Sequence, residues 1–229
     1  MKRFLFTLAT LIMVTSSPIL VQLCGTLVAQ LDQVGHSQIT QTAAEPAKLS
    51  DMPVAAQAHM SAVLGRDQSS YHLVPRASGF RMENKNHQLT ADFTSKGVEF
   101  CAGRASWSLA LSGYGHGNEL RAAVAVVPQA GGNRLEYRRR GLTEWYLNGP
   151  LGVEQGFTLE QPLGEGRGDP LTLAFTLSGN LTATIGANGR DAILTRADGT
   201  PDLRYRGLTA HDATGRELRA WMQVEGERL

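Results

Sequence analysis

The chain has 229 residues, 42% of them hydrophobic and 19% charged, enough for one β-sandwich or barrel with a real core. The formal net charge is +1, so no basic excess marks it for nucleic acid or an anionic membrane. Arg outnumbers Lys 18 to 4, a bias that genomic base composition explains without function.

Residues 1–29 have the form of a secretory signal peptide. Lys2 and Arg3 make a short basic start, residues 4–21 are mostly apolar, and Leu27-Val28-Ala29 offers small-residue cleavage after Ala29. Pro18 and scattered Thr and Ser make the stretch a poor membrane span. Val21-Gln22-Leu23 before Cys24 lacks the small residues of a lipidation site. Cleavage takes away two positive charges and no negative ones, so the formal charge goes from +1 to −1. It also takes away Cys24 and leaves Cys101 alone, so no internal disulfide can brace the fold. Cys101 lies in the apolar alternating run Val98-Glu99-Phe100-Cys101 and is expected to be a buried, inert thiol.

Residues 30–47 are rich in Gln, Thr, Ala and Ser without a period and read as a flexible linker. Residues 48–78 read as a short helix and its connector. Ser50 or Asp51 can cap, Pro53 suits the first turn, residues 54–64 are good helix formers, and Gly65 suits the position after the last turn.

Residues 79–229 read as the β domain, with period two from Phe80 onward. Runs at 89–93 and 98–101 flank a turn at 94–97, and residues 107–111 alternate as Trp-Ser-Leu-Ala-Leu. Gly113-Tyr114-Gly115-His116-Gly117 reads as a loop, and residues 122–127 as a short strand ended by Pro128. Residues 135–140 lead into the central motif at 143–159, two strands joined at Gly149-Pro150. A Gly- and Pro-bearing loop at 161–170 precedes strand-like runs at 171–177, 181–185, 192–195, 203–208 and 217–224. Short strands at such spacing predict an all-β, antiparallel β-sandwich of about ten or more strands, preceded by one short helix.

The central motif, with Gly103 to Gly117, the run 133–139, residues 171–191 and Asp212-Ala213-Thr214-Gly215-Arg216-Glu217-Leu218, carries a family likeness. Over roughly residues 54–225 the chain resembles the N-terminal β-rich domain of large secreted bacterial proteins that bear FG-GAP-type or similar β-propeller repeats. The resemblance implies an extracellular module without assigned activity and supplies no catalytic residues. In the proteins it resembles, the strand matching residues 218–224 is followed by another hairpin strand before the repeats. The expectation is therefore an unpaired sheet edge or uncovered apolar strip near residues 203–224, open to strand addition from another chain. An early strand such as residues 80–82 closing that edge is the competing expectation.

Candidate chemistry centres on Glu144, Trp145, Tyr146 and Glu154. With the turn centred on Pro150, Tyr146 faces Glu154, and Glu144 is a diagonal neighbour about 7–8 Å away on the same face. Two such carboxylates could serve a retaining glycosidase, which needs them about 5–5.5 Å apart, and the aromatic pair could stack on sugar. Against this, Arg138 or Arg139 comes opposite Glu144 in the preceding hairpin, and an ion pair then accounts for the glutamate. Trp107, Tyr137, Trp145, Phe157 and Trp221 lie on alternating strands and are expected in the core. The histidines 36, 59, 72, 87, 116 and 211 lack metal-ligand spacing, and His211 beside Asp212 is a weak pair on a turn. There is no Gly-x-Ser-x-Gly, no helix follows residues 113–117 to receive a phosphate, and residues 198–202 lack calcium-loop spacing. No cofactor or metal is expected. The primary expectation is a secreted or surface-displayed non-enzymatic module with a protein or glycan partner. A carbohydrate-active enzyme or lectin built on Glu144 and Glu154 is the alternative.

Overall fold

The computed structural model describes residues 6–15, 54–164 and 168–225. The linker at 30–47, the cleavage site at Ala29, the helix-capping residues Ser50, Asp51 and Pro53, and the end of the chain from residue 226 lie outside the described residues.

In chain order, β1 (Phe6–Thr15) is followed by α1 (Val54–Asp67), β2 (Val74–Arg76) and β3 (Gly79–Asn84). A meander of β4 (Leu89–Thr94), β5 (Gly97–Ala102), β6 (Ala105–His116) and β7 (Glu119–Ala122) comes next. A second meander runs through β8 (Gln129–Gly131), β9 (Arg134–Arg139), β10 (Leu142–Gly149) and β11 (Gly152–Leu159). Then follow β12 (Leu171–Gly179), β13 (Leu181–Ile185), β14 (Ala192–Arg196), β15 (Pro201–Arg206) and β16 (Ala210–His211).

The strands form two antiparallel sheets, one ordered β13-β14-β15-β1-β11-β10-β9-β8 with β16 beside β1, the other β12-β6-β5-β4-β3-β2 with β7 beside β6. The all-β antiparallel sandwich with one short helix is thus the observed architecture. The alternating residues of both inner faces meet in one core. Phe100 stacks on Trp107 with ring centroids 5.2 Å apart, and Phe93 of one sheet meets Tyr146 of the other edge-on at 4.9 Å. Burying each such side chain contributes about 1.5–3 kcal/mol.

Four local expectations are corrected. The run Gly113-Tyr114-Gly115-His116 is the second half of β6, not a loop. An irregularity at Ser112 shifts the parity of β6, so that Tyr114 turns into the core after Leu111, and the bare glycines let β7 approach: a Cβ at Gly115 would collide with the Glu119 carbonyl. Residues 123–128 are irregular rather than a strand, with Val124 and Val127 exposed. Residues 218–224 are likewise irregular; Glu217 makes an isolated bridge to His211. Cys101 is exposed, because Val98 and Phe100 take the inward positions of β5 and the period of two leaves Cys101 outside.

Of the edge expected near residues 203–224, the part at residues 203–206 is not vacant, while residues 218–224 make no strand and leave Trp221 45% exposed. β15 pairs with β14 on one side and β1 on the other, so an early strand closes it, residues 6–15 rather than 80–82.

Gly65 sits inside α1, not after it, and its role is close approach. A Cβ there would collide with the Asn148 carbonyl, and one at Gly149 with Ser61. The helix is thereby pressed onto the β10–β11 turn, where the Ser61 hydroxyl accepts from the Leu151 amide at 3.1 Å.

Candidate functional site

The turn of the central hairpin holds two residues, Pro150 and Leu151, between the paired Gly149 and Gly152. The register is therefore one residue away from a turn centred on Pro150. Tyr146 faces Gln155, Glu144 faces Phe157, and Leu147 faces Glu154. Because side chains alternate, this slip moves one whole strand to the other face. Glu144 points inward with Tyr146, while Glu154 belongs to the outer face with Trp145. The two carboxylates do not share a face, so the paired-carboxylate geometry expected from the sequence is absent.

Inside the sandwich, Glu144 is 3% exposed and its carboxylate is held from both ends. Arg139 Nη1 reaches Oε2 at 2.9 Å, the Tyr146 hydroxyl donates to Oε1 at 2.8 Å, and Gln155 Nε2 donates to Oε1 at 3.0 Å. Arg139 is not directly opposite Glu144, which faces Tyr137 on β9; it reaches diagonally from the position paired with Leu142. Its guanidinium lies 5.3 Å from the Tyr137 ring centroid. Gln155 Nε2 also donates to the Tyr146 hydroxyl at 2.8 Å, and the Tyr205 hydroxyl donates to Gln155 Oε1. Burial, reinforced by the Glu144 charge, pushes the Tyr146 and Tyr205 phenols well above their ordinary range, so both stay protonated donors. A proton-transfer catalyst needs a pKa near the working pH and access to substrate. This network has neutral phenols, a carboxylate locked to an arginine, and no water-exposed member.

On the outer face Trp145 is also covered, with 6% of its surface exposed. A Cβ at Gly156 would collide with its ring, so that glycine is what lets the indole lie flat on β11. Arg134 stacks over the ring at 4.7 Å, and Nε1 donates to Thr158 Oγ1 at 3.2 Å. Glu136, opposite Trp145 on β9, accepts from Arg134 and Arg138 at 2.7 Å each. The indole offers no open face to a sugar ring. Trp221, expected in the core, is instead 45% exposed on the irregular C-terminal segment.

Residues that the sequence did not single out tie α1 to both sheets. Asn148 Nδ2 donates to the carbonyls of Tyr71 and Glu83 at 3.0 and 2.8 Å. Asn84 Nδ2 donates to Asn148 Oδ1 and Gly149 O at 2.8 Å each. Asn133 Nδ2 donates to Ala62 O at 3.1 Å and Asn148 O at 2.7 Å. His87 Nε2 lies 3.0 Å from Pro150 O; burial, with help from the nearby Arg206 charge, lowers its pKa. The signal available was three asparagines at strand ends, where an amide can satisfy backbone groups that a ladder does not reach.

Elsewhere, Asp212 turns back on its own loop and accepts from Thr214 and Arg216, so it does not orient His211. Among the described residues no group of three or more His, Cys, Asp and Glu converges to hold a metal. A groove of about 880 Å³ opens between the sheets, walled by Leu120, Phe157, Leu163, Phe175, Leu208 and Trp221. Comparison of the chain with protein-family models, with characterised proteins and with solved structures gives no match.

Proposed function

We propose that this chain is a secreted, non-enzymatic β-sandwich module that serves adhesion, surface display or assembly with a protein or glycan partner. The observation that carries the reading is the fate of the central glutamates. Glu144 is buried in an ion pair with Arg139, and Glu154 lies on the opposite face of the sheet. Retaining hydrolysis needs two carboxylates about 5–5.5 Å apart across one bond, and inverting hydrolysis needs a water between them. Neither can be assembled across a sheet. Export is supported by Lys2, Arg3, the apolar run that follows and Leu27-Val28-Ala29. The likeness to N-terminal domains of secreted bacterial β-propeller-repeat proteins agrees with an extracellular module.

The test has two arms. The full chain is expressed with its own N-terminus, fractionated, and the exported form sequenced from its first residue; Gln30 is expected. That material is then assayed on a panel of polysaccharides and on a glycan array. No reducing-end release is expected. Turnover abolished by Glu154→Gln or Glu144→Gln without loss of folding would overturn the non-enzymatic reading, and an intact Met1 on material in the cytoplasm would overturn export.

A further inference from the structure

The larger sheet is made of two separate meanders, β8 to β11 and β13 to β15, and among the described residues β1 is the strand that joins them. β1 is antiparallel to both walls. Leu8 pairs with Phe157 and Ala210, Ile12 with Glu154 and Arg206, and Met13 with Val153 and Tyr205. The walls β11 and β15 are thus parallel to each other and about 9–10 Å apart, two strand spacings. The strand between them comes from the segment whose composition is that of a removable leader.

We propose that the gap between β11 and β15 is a strand-acceptor slot: β1 occupies it in the precursor, and after export it takes an extended apolar strand donated by another polypeptide. This deepens the assembly reading above and rests on it for removal of the leader.

Three observations support the slot. First, an empty slot would leave two rows of backbone N–H and C=O groups beside buried Val153, Phe157, Leu203 and Tyr205. Edges of that kind recruit a strand. Second, one contact links the walls directly, without passing through the guest. The Tyr205 hydroxyl on β15 bonds Gln155 on β11 across the gap, and Gln155 is itself fixed by Glu144 and Tyr146. The buried network of the central motif is therefore a strut that sets the slot's width. Third, β11 and β15 cannot simply close on one another in the existing pattern. They run parallel, and direct pairing would break the strut and misplace the buried side chains on both.

The walls define the guest. It runs antiparallel to both, with apolar residues at the register positions facing Phe157, Gln155 and Val153. At the intervening position, between Glu154 and Arg206, a polar residue is tolerated. The slot shares Phe157, Tyr205, Leu208 and Ala210 with the 880 Å³ groove, so a bulky guest side chain has room beneath the strand.

The test uses the full chain with a specific protease site inserted between Gly35 and His36. Cutting severs the covalent link between residues 1–35, which carry β1, and the rest of the chain. A lysine-flanked synthetic peptide with the sequence of residues 6–15 is added, carrying a photo-crosslinker at the Ile12 position. The expected result is displacement of the cut segment, crosslinks on residues 153–155 and 203–206, and restored amide protection in those stretches. The same peptide with Leu11→Pro is expected to bind at least tenfold more weakly. Tyr205→Phe, checked for intact circular dichroism, is expected to reduce capture severalfold. The slot is refuted if protection at β11 and β15 persists after the cut segment has left and no peptide enters. It is also refuted if the crosslinks fall elsewhere, as beside Trp221. Should the segment never dissociate, the crosslinker at position 12 of the uncut chain decides: labels on both walls support the slot, and labels on neither overturn it. Capture with an unprocessed N-terminus in the cell would remove the export reading and leave the slot; hydrolysis of a glycan would remove the non-enzymatic reading alone.

Discussion

Replacing Glu144 by Gln tests whether the central motif is a structural strut or a catalytic site. The Glu144 and Arg139 side chains are 4% and 7% exposed, so salt and water scarcely screen the pair. Gln keeps the shape but not the charge. Its amide must point its NH₂ either at Arg139 or at the Tyr146 and Gln155 donors, so at least one donor faces a donor. Removing one partner of a buried ion pair costs about 3–5 kcal/mol, most of it the stranded charge on Arg139. For a domain of this size that lowers Tm by roughly 6–20 °C. Differential scanning calorimetry and urea melts on the full chain measure it. Combining Glu144→Gln with Arg139→Met removes the stranded charge, so the double variant should be less destabilised than the two singles together by about 2–3 kcal/mol. A Glu144→Gln chain within about 0.5 kcal/mol of wild type would refute the reasoning, since that is the behaviour of a surface carboxylate.

Further outcomes follow from other contacts. Gly156→Ala should cost about 1–3 kcal/mol by driving a Cβ into the Trp145 ring, with a red shift of tryptophan emission; an unshifted spectrum would show the indole elsewhere. Asn148→Ala should cost about 2–4 kcal/mol, because the amide serves the Tyr71 and Glu83 carbonyls and Asn84 at once, and urea melts would read it. His87 has a folded pKa below its ordinary value of 6.5, so the unfolded chain takes up its proton first and stability falls as pH drops below about 6.5. His87→Gln should flatten that part of the stability profile between pH 7.5 and 5, and an unchanged slope would assign it to other groups. Cys101 should react with a disulfide reagent in the native state without denaturant; a requirement for urea would contradict its exposure.

The strands of the meanders were legible because Gly- and Asn-bearing turns bound short runs of period two, as at 89–102 and 181–196. The central hairpin was legible as an element but not in register. Pro150 alone and Pro150-Leu151 together both make plausible turns, and nothing within the hairpin distinguishes them. What fixes the choice is tertiary: Tyr146 is needed against Phe93, and Gly149 against Ser61. The same limit hid β6 beyond Leu111, where glycines that look like loop residues make room for β7. It also misplaced residues 123–127 and 218–224, whose apolar residues continue past the short pairings at Ala122 and Glu217 as irregular chain. The arginine on Glu144 was foreseen in kind but not in position, since a diagonal contact depends on the register of two hairpins.

The asparagine knot at the α1 end has a consequence for the order of folding. Its long bonds join residue 62 to 133, and residues 71, 83 and 84 to 148, separations that no local hairpin spans. The helix can dock only after β3 and the β9–β10–β11 meander have been brought together, so its hydrogen bonds should be late on the pathway and low in φ-value. In native-state amide exchange, α1 and the turn at Ser69–Tyr71 should open as one unit, below the free energy of global unfolding and without exposing Trp107.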